Sequence, residues 1–235
     1  MRFDIITIFP EIFEGFLKES IIKRAIKKGF ISVKIHNLRK WTNDSHQTVD
    51  ARPFGGGRGM VMKLEPIYLA VNSILKKTKV KRNKIKIILL TPRGEKFNQK
   101  KAWQFSKKLE QIILICGRYE GVDERVAQYL ADLKLSIGDY VLMGGEVAAM
   151  VLIEVVSRLI PGVIGKSEIM LEERVMKEKG GFLEYPQYTR PAVFVADQKI
   201  QKNKTQVWKV PKVLLSGNHQ KIEEWRKKHS KIIAK

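Results

Sequence analysis

Three apolar runs in this chain stop abruptly at glycine or proline: LLTPRGEKF (Leu89–Phe97), ICGRYEGVDERV (Ile115–Val126) and SIGDYVLMGGE (Ser136–Glu146). Each places a residue without Cβ, or one with fixed φ, where a strand ends, so the backbone there can approach a ligand closely. Taken singly, each is an ordinary tight turn. Three at successive strand ends point to a shared ligand. Neither G-x-G-x-x-G nor G-x-x-x-x-G-K-[ST] occurs, so the dinucleotide fingerprint and the phosphate-cradling loop lack their signatures.

The rest of the pattern sets these turns in an α/β domain. Phe3–Phe9 reads as a buried strand, and Ile12/Phe13, Phe16/Leu17, Ile21/Ile22 and Ala25/Ile26 recur at helical spacing up to a stop at Gly29. ISVKIHNL alternates as a half-exposed strand, Thr48–Met60 is a glycine-dense loop, and Lys84–Leu90 and Ile112–Cys116 are further strands. Helices are expected over Val122–Ala131, over Glu146–Ile160 ending at Pro161-Gly162, and over Asn218–Ile232 with Ile222, Trp225 and Ile232 on one face. Strands alternating with helices imply a mostly parallel sheet, whose ligands bind at the carboxyl ends of the strands. Composition turns charged and poor in core residues after about Gly165. The expected division is therefore a main domain over 1–165, a linker or mobile loop over 166–184, and a small, mainly helical domain over 185–235.

Charge narrows the partner. There are 45 Lys+Arg against 24 Asp+Glu, a formal net charge of +21, which favours a polyanion, above all nucleic acid. The alternative is that excess lysine merely keeps the surface soluble. The one cysteine, Cys116, excludes an intrachain disulfide and fits a reducing, cytoplasmic setting. The opening MRFDIITIFPEIFEG is interrupted by acids and does not read as a signal peptide. The longest apolar stretch, Val147–Ile160, is broken by Glu154 and Arg158 and is too short for a bilayer. Four histidines without ligand spacing argue against zinc.

In order along the chain, QTVDARPFGGGRGM, CGRYEGVDERV, SIGDYVLMGGE, VSRLIPGVIG, EYPQYTRP and VLLSGNH closely resemble the bacterial tRNA (guanine-N1)-methyltransferase family, which modifies the guanine just 3′ of the anticodon. The resemblance covers nearly the whole chain. It implies a SPOUT-type α/β sheet with a deep C-terminal trefoil knot, which periodicity could not reveal because knots are nearly absent from ordinary topology. It also implies a homodimer with its active site at the subunit interface, anticodon stem-loop tRNA as substrate, and S-adenosylmethionine bound by three loops. Carried over by motif, the cofactor contacts are Pro92, Gly94, Gly117, Tyr119, Ser136, Ile137, Gly138, Tyr140, Leu142, Gly144 and Gly145.

Guanine N1 carries a proton and is a poor nucleophile until that proton leaves, when negative charge builds at O6. A general base and a cation near O6 are needed. The resemblance gives the cation to Arg158; by position alone it would be a snorkelling arginine at a helix end. The base is where the sequence departs from the family, whose aspartate is missing from LEERVMKEKGG. Glu173 is the expected replacement, with Glu172, Glu178 and Glu168 as alternatives. Asp50 matches a residue that reads the neighbouring guanine, against the plainer role of capping a glycine-rich turn. Glu120 is a candidate for Mg²⁺, and Arg118 and Arg125 are expected to be structural or interfacial. Two other readings stay open: a relative that binds RNA without catalysis, on the strength of the missing aspartate, and a knotted methyltransferase acting on another RNA base.

Overall fold

The computed structural model of the chain describes residues 1–164, 182–183, 185–196 and 207–232. Two compact units divide it, Met1–Glu168 and Ile169–Lys235. The first is built on five strands: β1 (Arg2–Thr7), β2 (Ser32–Asn37), β5 (Ile85–Lys96), β6 (Gln111–Cys116) and β7 (Leu133–Ser136). Their order is β2-β1-β6-β5-β7, and every pairing is parallel. Two short strands, β3 (Asp50–Ala51) and β4 (Val61–Met62), form an antiparallel pair at the base of the glycine-dense loop.

The near-continuous apolar character of the central strands has a direct cause, since both faces of the sheet are covered. Side chains alternate. Phe3, Ile5, Ile88, Leu90, Ile112 and Leu114 point to one core, shared with helices α2 (Ser20–Lys27), α4 (Gln99–Lys108) and α5 (Glu146–Ser157). Ile6, Ile85, Ile87, Leu89, Ile113 and Ile115 point to the other, shared with α3 (Leu64–Lys77). The pattern reading leaves α3, α4 and β7 unassigned.

Two expected helices are different in the structure. The segment after β1 is a 3-10 turn over Pro10–Phe13, then α1 (Glu14–Lys18), then α2, with Glu19 extended and Ser20 at φ 50. Phe13 and Ile22 belong to the same core. In an unbroken helix, nine residues of separation would set them about 180° apart; the break at Glu19–Ser20 lets both reach the sheet. Of the helix expected over Val122–Ala131, residues 124–130 are helical, the last five, Val126–Leu130, as a π-turn. Its first residues are drawn into pairing with β4: the Met62 amide donates to Gly121 O (3.0 Å) and the Asp123 amide to Met62 O (2.9 Å).

In the second unit, Val193–Val195 pairs antiparallel with Val207–Lys209, and Lys231–Ile232 with Phe182–Leu183. A helix covers His219–His229, with the Asn218 side chain accepting from the Lys221 amide at its start. Ile232 thus belongs to a strand and not to the face of this helix that carries Ile222 and Trp225. Trp225 stacks on His229 and meets Tyr185 and Tyr188 edge-on, so aromatic contacts supply much of this small unit's packing. The expected linker 166–184 lies almost wholly outside the described residues.

One charged group sits inside the main sheet. Asp4 on β1 is fully buried and accepts hydrogen bonds from Arg2 (2.7 Å) and Gln111 (2.7 Å), with His36 Nε2 at 2.8 Å; the Thr78 hydroxyl donates to Gln111 in turn (2.6 Å). Burial pushes its carboxyl up, but His36, Arg2 and Gln111 outweigh burial and hold it below the usual carboxylate value. A folded-state value below the unfolded one, about 3.9, gives stability that is complete above that pH and lost as pH falls through the folded value. Asp4→Asn should therefore cost about 3 kcal/mol at neutral pH. In urea titrations it should also flatten the decline in stability of the wild type below about pH 4.

Candidate active site

The carboxyl ends of β5, β6 and β7 converge on a cavity of about 310 Å³, within the size range of small-molecule sites. Each wall follows from a local departure from regular structure. On β5, Leu90 and Glu95 both pair with Leu135, so Thr91–Gly94 leaves the ladder between two rungs on the same partner. Gly94 lies flat against β7, where a Cβ would stand 2.4 Å from the Leu135 nitrogen. After β6 the chain turns through Gly117–Gly121 with Tyr119 at φ 58, a left-handed conformation rare for a non-glycine residue.

The third wall comes back across the sheet. From β7, at one edge, residues 137–145 pass beyond β5 to the end of β6. There the Gly145 amide donates to Gly117 O (2.9 Å) and Gly144 forms an antiparallel bridge with Arg118. A Cβ on Gly145 would lie 2.7 Å from the Cys116 Cα. At the start of this wall the Ser136 hydroxyl donates to Gly138 O (2.8 Å).

Of the eleven residues expected from sequence to contact a cofactor, Pro92, Gly117, Tyr119, Ser136, Ile137, Tyr140, Leu142, Gly144 and Gly145 line this cavity. Gly94 and Gly138 stand behind it, the first against Leu135 and the second beneath the Tyr140 ring, 2.3 Å from which its Cβ would fall. Val141 and Met143 extend the third wall as largely exposed apolar side chains. Asp139 forms an exposed ion pair with Lys96, in keeping with a turn residue.

A buried polar group underlies the floor. Glu146, in the first turn of α5, is 1% exposed. Its carboxylate accepts from the Thr7 hydroxyl at the end of β1 (2.7 Å) and from Arg118 Nε (2.9 Å). Arg118 Nη1 also donates to Met143 O (3.4 Å), and the guanidinium lies over the Phe9 ring at 4.7 Å. The sequence reading assigned Arg118 a structural place but passed over Thr7 and Glu146. The signal was an acid opening an otherwise apolar helix. Burial, with the Glu146 carboxylate adding to it, pushes the Cys116 thiol well up and keeps it protonated. Arg125 pairs with Asp123 (2.7 Å).

The other expected residues are dispersed. Asp50, half-buried, begins β3, and its loop is tied to the cavity rim: the Glu120 amide donates to Met60 O (3.1 Å) and Arg118 N approaches Met62 S at 3.2 Å. Glu120 lines the cavity and packs on Gly59; among the described residues no group of three His, Cys, Asp or Glu could hold a metal ion. Arg158 is exposed at the C-terminal cap of α5 and does not line the cavity. Glu173, with Glu168, Glu172 and Glu178, lies outside the described residues.

The parallel sheet and the glycine-walled cavity at its carboxyl edge define an α/β protein with a small-molecule-sized cavity where such folds bind their ligands. Comparison with known proteins sharpens this. Residues 1–234 match the family model described as tRNA (Guanine-1)-methyltransferase TrmD. Proteins named tRNA (guanine-N(1)-)-methyltransferase are 50% identical over 228 residues in Geobacter sp. (strain M21), covering 97% of this chain and 84% of the relative. In Clostridioides difficile (strain 630) the identity is 48% over 235 residues, covering 100% and 94%, and in Thermomicrobium roseum 51% over 227 residues, covering 97% and 78%. The chain belongs to the tRNA (guanine-1)-methyltransferase family.

The glycine contacts make a stability prediction. Gly94→Ala and Gly145→Ala force a methyl group into neighbouring backbone and should each cost about 3 kcal/mol in urea unfolding. Gly15→Ala in α1 meets nothing within 4 Å and should be neutral or slightly stabilising.

Proposed function

We propose that this protein transfers the methyl group of S-adenosylmethionine to N1 of the guanine just 3′ of the anticodon in tRNA. The observation that carries the reading is the convergence of the motif glycines on one cavity, within a chain whose full length matches the family. The cavity suits the donor: Gly117, Gly144 and Gly145 bring main chain to its surface beside Ile137, Leu142 and Ala148, and a mixed polar and apolar lining suits an adenine. When bound, S-adenosylmethionine supplies an electrophilic methyl group.

The chain's own residues then have three tasks. A carboxylate takes the N1 proton, and we assign this to Glu173. Arg158 stabilises the charge that develops at O6. Asp50 accepts from the N1–H and N2–H edge of the adjacent guanine. Mg²⁺, where it is used, would meet Glu120.

Arg158 argues for a second copy. Within one chain, α5 carries it ~18 Å from Glu146 at the cavity floor. It shares an exposed stripe with Val147, Val151 and Glu154, at i, i+4, i+7 and i+11. Val147 and Val151 on this stripe, with nearby Val141 and Met143, are apolar side chains open to solvent, as expected of a face that another subunit covers. In the resulting homodimer Arg158 would serve the partner's cavity. The return of residues 137–145 across β5 to β6 fits a trefoil knot in this part of the chain. The second unit, where Lys221, Lys227 and Lys228 stand exposed on the helix His219–His229, would grip tRNA phosphates. No described helix is long and apolar enough to cross a membrane, and the enzyme would act in the cytoplasm.

Three measurements test this. Labelled S-adenosylmethionine with anticodon stem-loops should give transfer only when guanine follows the anticodon; transfer to another nucleoside, or none, overturns the assignment. In single turnover, Glu173→Gln should slow methylation about 100-fold or more and Glu172→Gln little. An unaffected Glu173→Gln removes that residue from the mechanism. Arg158→Ala should lower kcat by about 100-fold or more and leave donor affinity unchanged.

A further inference from the structure

We infer that Glu146, Arg118 and Thr7 form a positioning device that sets the methyl-donor cavity in its binding shape. The inference rests on the reading of that cavity as the donor site. Its physical basis is a contrast in packing. The wall formed by Tyr140, Val141, Leu142 and Met143 is exposed along its whole length, with Val141 and Met143 more than four-fifths open to solvent. Within one chain such a wall has little apolar burial to hold it. Its far end is pinned instead by polar contacts from one residue: the Arg118 side chain donates to Met143 O (3.4 Å), while its backbone bridges Gly144.

Arg118 is itself held by Glu146, through Nε at 2.9 Å, and Glu146 is held by Thr7 at 2.7 Å. The Thr7 hydroxyl also accepts from the Phe9 amide (3.0 Å), fixing its direction. The chain of contacts therefore runs from the end of β1, through a carboxylate with almost no access to water, to the tip of the exposed wall. A Cβ on Gly144 would stand 2.2 Å from Arg118 Nε and 2.6 Å from Glu146 Oε2, so the wall is seated directly on the ion pair. None of the three residues is needed to move the N1 proton or to stabilise O6. Glu146 and Thr7 do not line the cavity and act through Arg118, which lines it, and through the wall that Arg118 holds.

Glu146→Gln preserves shape but removes the charge that holds Arg118: the amide oxygen meets Arg118 Nε without an ion pair, and the Thr7 hydroxyl must turn from donor to acceptor. Arg118→Met keeps the unbranched stem of the side chain and removes its hydrogen bonds to Glu146 and Met143. Each should raise the Kd for S-adenosylhomocysteine, measured by titration calorimetry on the full-length protein, at least tenfold. The KM for S-adenosylmethionine should rise in parallel, with kcat at saturating donor within threefold of wild type. A lesion that only reduced the folded fraction would lower kcat and leave KM alone. The double variant should bind no more weakly than the weaker single one, because both break the same connection. Thr7→Val, at the remote end, should raise Kd about threefold, and Arg118→Lys should recover part of the loss.

Wild-type affinity in both Glu146→Gln and Arg118→Met overturns the inference, as does a fall confined to kcat or strict additivity in the double variant. If one of the two fails to fold, the other and Thr7→Val decide on the same readouts. A wild-type protein that methylates RNA but does not bind S-adenosylhomocysteine in a way sensitive to Leu142→Asp refutes the cavity reading itself, and the positioning role with it.

Discussion

Backbone lying against backbone is the constraint on which the rest of this structure depends. At Gly94 and Leu135, and again at Gly145 and Cys116, two chain segments approach so closely that no Cβ fits between them. The first contact lets β5 leave its ladder and rejoin it against the same residue of β7. The second lets the segment after β7 return past β5 to the end of β6. Without either, three loops would splay apart as separate turns. With both, they share one wall system.

Helix α5 serves that arrangement with both ends. Its N-terminal turn carries Glu146 into the floor, where the positive end of the helix dipole favours a carboxylate. Its C-terminal cap carries Arg158 out to solvent, on the same stripe as Val147 and Val151. Buried Leu152, Ile153 and Val156 fix the helix between these ends against the sheet. One rigid rod thus sets the distance, about 18 Å, between a buried carboxylate beneath the cavity and an arginine open to solvent.

Much of this was legible in the residues. The alternation of apolar runs and helical patterns gave the parallel α/β sheet, and the glycines at three strand ends marked the cavity. Where the reading failed, a longer-range demand had overridden local pattern. The helix expected from Ile12 to Ile26 breaks because Phe13 and Ile22 must face the same core. The helix expected from Val122 starts two residues late because Gly121 and Asp123 pair with Met62, some sixty residues earlier in sequence. The Thr7–Glu146–Arg118 cluster joins residues 139 and 28 positions apart, and no spacing rule connects such partners. The return of the chain across the sheet is equally invisible to periodicity, which describes segments and not the path between them.

The single cysteine acquires a use from its place in this scheme. Cys116 closes β6 directly beneath the cavity, fully buried and held protonated by its surroundings. In the closed form its thiol is shielded from reagents, since only an exposed thiolate reacts readily. Modification then requires the strand end to part from Gly145, and its rate counts how often the floor opens. The thiol would thus report on any opening of the cavity floor.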